Sequence, residues 1–248
     1  MKITTDTKRW FLTALMVAGF YGLLQFLNRT KEPFASTASA STASATTASA
    51  TTETSPALVL IGDSILNNSS YVAQDESVEY LLRQKKGGDR IVFLAEDNAF
   101  MHNVLQTQVP KIPTGTNAKT HIFVSAGGND ILDTIATFSI STEEIQHLFD
   151  KYKQLILAVQ TKCPTSHLHL FNLYYPTSTL LKPYYKYIDA WNLLLRDFVS
   201  QSNNTLQEFP LSKLCFIDLD FVHTIEPSAV CSKKIVQSII SSVTAVAT

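Results

Sequence analysis

The sequence predicts an α/β domain of three layers, with helices on both faces of a mostly parallel sheet, over residues 56–248. Two observations lead there. Short runs rich in β-branched and aromatic residues are almost continuously apolar, which suits strands covered on both faces. Between them lie stretches with apolar residues three and four apart, so strands and helices alternate along the chain.

Taken in order, Ala57–Ile61, Ile91–Ala95, His121–Ser125, Leu168–Leu173 and Leu214–Ile217 read as the strands. Val78–Gln84 continues a helix that Lys85-Lys86-Gly87-Gly88 ends. Ser141-Thr142-Glu143-Glu144 is a capping-box start for a long helix running to Lys162. Within it Ile145, Leu148, Phe149, Tyr152, Leu155, Ile156 and Val159 form one apolar face. Tyr185–Val199 reads as another amphipathic helix and Lys233–Val243 as the last.

The first 55 residues are of a different kind. After a short tail (1–10), the run Phe11–Leu27 carries no formal charge and is rich in Phe, Leu, Ala and Val. At about 17 residues it meets the lower length limit of a membrane-spanning helix. Lys2, Lys8 and Arg9 precede it, while Arg29 and Lys31 follow with Glu32 as a partial offset. That bias favours an anchor with a cytoplasmic N-terminus and an exported remainder, a cleavable signal peptide with secretion being the alternative. Residues 28–55 form a linker whose Ser/Thr/Ala repeats contain no large apolar residue from Ala35 on, and a disordered tether is expected.

Composition excludes some roles. The net charge is −1 and no basic block is present, which argues against a nucleic-acid partner. The three cysteines, Cys163, Cys215 and Cys231, show neither a CxxC pair nor metal-ligand spacing. One disulfide is compatible with export, although spacing does not select the pair, and Cys215 reads as a small core residue. His167 and His169 alternate on a strand and offer no convincing metal site. N-glycosylation patterns begin at Asn28, Asn67, Asn68 and Asn203, and the middle two would crowd the strand end described next.

Three polar blocks follow three strands. Gly62-Asp63-Ser64 follows the first, Glu96-Asp97-Asn98 the second and Gly127-Gly128-Asn129-Asp130 the third. The carboxyl ends of parallel strands share one edge, so Ser64, Asn98 and Asn129 are expected to converge there. A side-chain amide beside a serine suits acyl transfer: Asn129 would donate to the oxyanion formed when Ser64 attacks a carbonyl, together with the backbone N–H of Ser64. Tyr174-Tyr175-Pro176 follows the fourth strand; with Tyr184, Tyr185 and Tyr187 these aromatics are candidates to line an acyl or sugar pocket.

With Asp220-Phe221-Val222-His223 near the C-terminus, these blocks resemble those of the GDSL, or SGNH, hydrolases over Leu58–Ile240. The resemblance implies a three-layer α/β/α sandwich with a flavodoxin-like sheet. It makes Ser64 the nucleophile, His223 the general base and Asp220 the group that orients the imidazole. Asp218 is a second candidate for the acid. Asn129 and the Ser64 N–H would form the oxyanion hole, with Asn98 standing where the family places a glycine. The chain departs from the family pattern in its last block: Glu226-Pro227-Ser228-Ala229 aligns Glu226 with the family's histidine, so Glu226 is the alternative base. The function expected is a membrane-tethered serine esterase acting through an acyl-enzyme on a short acyl ester, an O-acetylated sugar or a lipid. That chemistry asks for no cofactor or metal. The alternative is a catalytically weak or inactive binding domain of the same fold.

Overall fold

The computed structural model describes residues 57–86, 90–137, 139–202 and 205–245. The apolar run Phe11–Leu27, the linker 28–55 and the pattern at Asn203 lie outside the described residues. Among the described residues no helix is long and apolar enough to cross a membrane.

Five parallel strands, β1 (Leu58–Gly62), β2 (Ile91–Phe93), β3 (His121–Ser125), β4 (His167–Phe171) and β5 (Leu206–Phe209), form one sheet in the order β2-β1-β3-β4-β5. The main helices are α1 (Val78–Lys86), α2 (Gly128–Ala136), α3 (Thr142–Lys162), α4 (Tyr185–Ser200) and α5 (Ala229–Ala245). The side chains of β1 show why the sheet is sandwiched. Val59 and Ile61 join a core with Ile145, Phe149 and Tyr152 of α3 and Trp191 of α4. Leu58 and Leu60 point the other way, into a core with Val78 and Leu82 of α1 and Ile235 and Ile239 of α5. Period-two side chains buried on both faces are what the near-continuous apolar runs anticipated. Ser141 caps α3, its side chain accepting the Glu144 N–H at 3.0 Å.

The sheet departs from the expected strand set at its edge. Leu214–Ile217 is not a strand: Leu211–Leu214 is a helical turn, and Phe216 and Ile217 are exposed. The fifth strand is Leu206–Phe209, whose central Gln207 and Glu208 conceal it from an apolar-run reading. An edge strand has one paired side only, so it needs less apolar sequence than a central one. Cys215 is buried, as expected, but is bonded to Cys231 at the start of α5, with Cα atoms 5.6 Å apart. Cys163 is the free, buried cysteine.

Strand order reverses direction at β1, with β2 on one side and β3 on the other, so a crevice opens at the carboxyl ends of β1 and β3. Gly62 closes β1 at φ 139°, paired with Ser125; a Cβ there would lie 2.0 Å from the Ser125 carbonyl oxygen. Only glycine permits this approach. The Gln108 side chain, fully buried, accepts the Gly62 N–H at 2.7 Å and donates to the Gly62 carbonyl at 2.9 Å. Nothing in the sequence marked Gln108, because its partner is a backbone 46 residues away.

Candidate active site

Ser64 sits directly beyond β1 at the wall of a cavity of about 90 Å³, which Asn129 and Glu226 also line. Three elements bring these residues together. The turn after β1 is braced by the Asp63 carboxylate, which accepts the Ser125 hydroxyl at 2.5 Å and the Ile65 N–H at 3.1 Å. Gly127 precedes helix α2, its φ of 105° letting the chain turn sharply off β3, and Asn129 lies in the first turn of the helix. The third element is a small antiparallel hairpin, β6 (Phe221–Val222) with β7 (Glu226–Pro227), in which Val222 pairs with Glu226.

The hairpin decides which C-terminal residue reaches Ser64. Its turn holds His223 at φ 47° and Thr224 at φ 82°, a conformation β-branched residues rarely adopt. His223 stands exposed on this turn, its ring 6.1 Å from that of Tyr71, and does not line the cavity. Glu226, on the returning strand, is only 8% exposed and enters the cavity. Its Oε2 is buried without a hydrogen-bond partner.

Asp220 is not brought to His223 either. It is completely buried, accepts the N–H groups of Phe216 (2.9 Å) and Ile217 (3.1 Å), and pairs with Lys234 Nζ at 2.6 Å. Burial alone would raise its carboxyl; the Lys234 contact and the two backbone donors outweigh that and hold it below the usual range. No hydrogen bond joins Asp220 to His223 among the described residues. Asp218 opens the same short helical turn and is exposed.

Asn129 donates one amide hydrogen to the Ala99 carbonyl at 3.0 Å. An amide carries two such hydrogens, so this bond fixes the side chain and leaves one donor for a ligand. Asn98 adopts a positive φ, 59°, which Asn tolerates better than most residues, but does not line the cavity. Its turn places the Ala99 carbonyl that holds Asn129.

Electrostatics single out two carboxyls. Burial, chiefly, pushes Glu226 up to about 7; the Ser64 hydroxyl partly offsets this, and Asp97 and Asp63 add repulsion. Asp63, completely buried, is likewise pushed up to about 7 by desolvation, with Asp130 adding to it against the Ser125 and Ile65 bonds. Nothing in the sequence gives Asp63 this part, because its buried partner Ser125 lies 62 residues away. Of the aromatic candidates, Tyr174, Pro176 and Tyr184 line the cavity, whereas Tyr175 and Tyr185 pack against each other outside it and Tyr187 bonds the Ile140 carbonyl. The Tyr174 hydroxyl donates to the Ile225 carbonyl, next to Glu226.

Asn68 is also tied into this region. Fully buried, it accepts the Val78 N–H at 3.0 Å and donates to the Pro227 carbonyl (3.1 Å) and Ser232 Oγ (2.6 Å). A committed amide of this kind is closed to glycosylation in the folded protein. His121, His167 and His169 lie at the β3–β4 pairing, His169 stacked on Phe123 at 4.3 Å and bonded to His121 at 2.9 Å.

No protein-family model matches the chain, and no curated protein matches it. Solved structures do. A lipolytic protein of the G-D-S-L family from Veillonella parvula is similar at TM-score 0.59 and 13% identity, covering 74% of this chain and 96% of that one. Phospholipase A1 from Streptomyces albidoflavus matches at TM-score 0.57 and 14% identity, over 76% of this chain and 99% of that one. An extracellular lipase from Streptomyces rimosus matches at TM-score 0.56 and 18% identity, over 75% and 99%. The parallel sheet, its strand order and these likenesses together give the chain the three-layer α/β/α fold of the GDSL/SGNH hydrolases.

Proposed function

We propose that the domain is a carboxylic ester hydrolase in which Ser64 is the nucleophile and Glu226 the general base. The observation that carries this reading is Glu226 itself: a buried carboxylate with an unpartnered oxygen, facing the serine across one cavity. A carboxylate of ordinary pKa is a feeble base towards a hydroxyl. Raised to about 7, it is poised to take a proton near neutral pH.

In the first half-reaction Ser64 Oγ attacks the ester carbonyl while its proton passes to Glu226. The oxyanion is met by the Ser64 N–H and the free amide hydrogen of Asn129. Collapse breaks the bond to the alcohol, which leaves with the proton from Glu226, and the acyl group remains on Ser64. Water repeats the sequence, giving up its proton to Glu226, which returns it to Ser64 as the acid departs.

The N-terminal apolar run supports tethering of this domain to a membrane on the extracytoplasmic side, and the Cys215–Cys231 disulfide suits an oxidising compartment. Lipolytic structural neighbours make ester or lipid substrates the natural class to try.

Hydrolysis of p-nitrophenyl acetate and butyrate by the full-length chain in mild detergent tests the assignment. Ser64→Ala and Glu226→Gln should each lose activity while His223→Ala retains it. Retention in Glu226→Gln with loss in His223→Ala would move the base to the histidine. Wild type no faster than Ser64→Ala would favour a binding domain of the same fold.

A further inference from the structure

The charge around the cavity carries an inference that rests on this functional reading and narrows it to a substrate class. Two carboxylates, Asp63 and Glu226, line the cavity, and no Lys, Arg or His does among the described residues. The rest of the wall is mainly apolar, built from side chains such as Ile131 and Ile135 of α2, Leu173, Leu181 and Ile188. The charged groups that act on the two carboxylates from outside have the same sign, Asp97 on Glu226 and Asp130 on Asp63. The lysines nearby do not enter the cavity: Lys151 acts on Asp130, Lys234 pairs with Asp220, Lys111 with Glu96, Lys186 lies over the Tyr187 ring, and Lys182, next to the lining residue Leu181, is exposed and does not line it.

We propose that this cavity is an anion-excluding subsite, which accepts esters with uncharged, apolar acyl and alcohol parts and rejects those carrying a carboxylate or phosphate. Two physical terms act together. An anion entering the cavity exchanges water for an apolar wall that offers it no donor cation. It also meets like charge at short range where water does not screen it.

The choice of base sharpens the effect. An imidazole base becomes a cation once it holds the serine proton, and would then attract an anionic substrate group. Glu226 is an anion before the transfer and neutral after it, so negative charge migrates from Glu226 to the oxyanion and no cation forms at any step. When the acyl-enzyme is hydrolysed, the C–O bond to Ser64 breaks, Ser64 recovers its proton and the acid ionises to solvent. The product then faces a carboxylate of its own sign, which favours release.

The test measures ethanol release by the full-length chain from three ethyl esters of nearly equal shape: ethyl 4-methylpentanoate, ethyl succinamate and monoethyl succinate. A second pair, the butyrate esters of glycolamide and glycolic acid followed by butyrate release, moves the charge to the alcohol side. The neutral amide separates polarity from charge. At about pH 8.5, where Asp63 and Glu226, with carboxyls raised to about 7, are ionised, each anionic ester should show kcat/KM about 100-fold below its amide counterpart. Ile188→Lys, on the half-buried wall of α4, should narrow that gap for at least one pair by about tenfold, because it supplies the missing cation. Equal turnover of the anionic and amide esters on both sides would overturn the charge inference while leaving the ester hydrolase standing. No Ser64-dependent turnover of any neutral ester, p-nitrophenyl butyrate included, would overturn the functional reading and this inference with it.

Discussion

Replacing Glu226 by Gln should abolish turnover and stabilise the protein, and the two effects should separate with pH. The glutamate carboxyl is raised from 4.5 to about 7 in the folded protein, mainly by burial. Between those values the folded state binds a proton that the unfolded chain has released. The stability this proton contributes is complete below about pH 4.5 and is lost as pH rises through about 7. At about 1.4 kcal/mol per pH unit the cost above pH 7 is of the order of 3 kcal/mol. Glutamine has nearly the same shape and no charge to desolvate, so it escapes that cost. The contact of the ionised glutamate with the Ser64 hydroxyl is already contained in that net shift, so nothing further is subtracted for its loss. The net expectation is a variant about 3 kcal/mol more stable than wild type at pH 8 and nearly equal to it at pH 4.5. Urea denaturation of both proteins at the two pH values measures this directly. Activity at pH 8 should fall at least about 100-fold, the lower range for loss of a general base. A stability difference that does not change with pH would refute the reasoning, as would a variant less stable than wild type at pH 8. Either result would mean that Glu226 is not held in the desolvated state from which its role as base was argued.

Three further outcomes follow from the same geometry. The Cys215–Cys231 bond closes 16 residues around the hairpin that carries Glu226; the Cys215→Ser/Cys231→Ser variant should lose about 3 kcal/mol by chemical denaturation, with reductant having the same effect on wild type. In Gly127→Ala the new methyl would lie 2.4 Å from the Trp191 ring at a φ of 105°, so a loss of about 3 kcal/mol is expected in melting experiments, with activity reduced further as the first turn of α2 shifts Asn129. Burial, reinforced by His121 and His167, holds the His169 imidazole down to about 3 from 6.5. The unfolded chain therefore binds the extra proton between these values, so wild-type stability falls on acidification across that window. His169→Phe should fall less steeply, by up to about 1.4 kcal/mol per pH unit, in denaturation curves taken from pH 6.5 to pH 4.

Sequence alone determined the layer architecture, most strand and helix positions and the three blocks at the sheet edge. Central strands buried on both faces need continuous apolar runs, and long helices need a periodic face and a cap, so Val59, Phe149 and Ser141 announce themselves locally. The edge strand Leu206–Phe209 did not, because one-sided pairing tolerates Gln207 and Glu208 in its middle. Nor could spacing choose the partner of Cys215, or show that Gln108 clasps Gly62, since both depend on contacts between distant segments. The C-terminal block illustrates the division most clearly. Asp-x-x-His and Glu-Pro-Ser-Ala overlap within a few residues, and composition weighs both alike. Only the fold, by pairing Val222 with Glu226 and turning at His223 and Thr224, sends the glutamate into the cavity beside Ser64 and leaves the histidine in solvent. A strand pairing carries directional information that a list of residues lacks: shifting by one position exchanges the buried face for the exposed one.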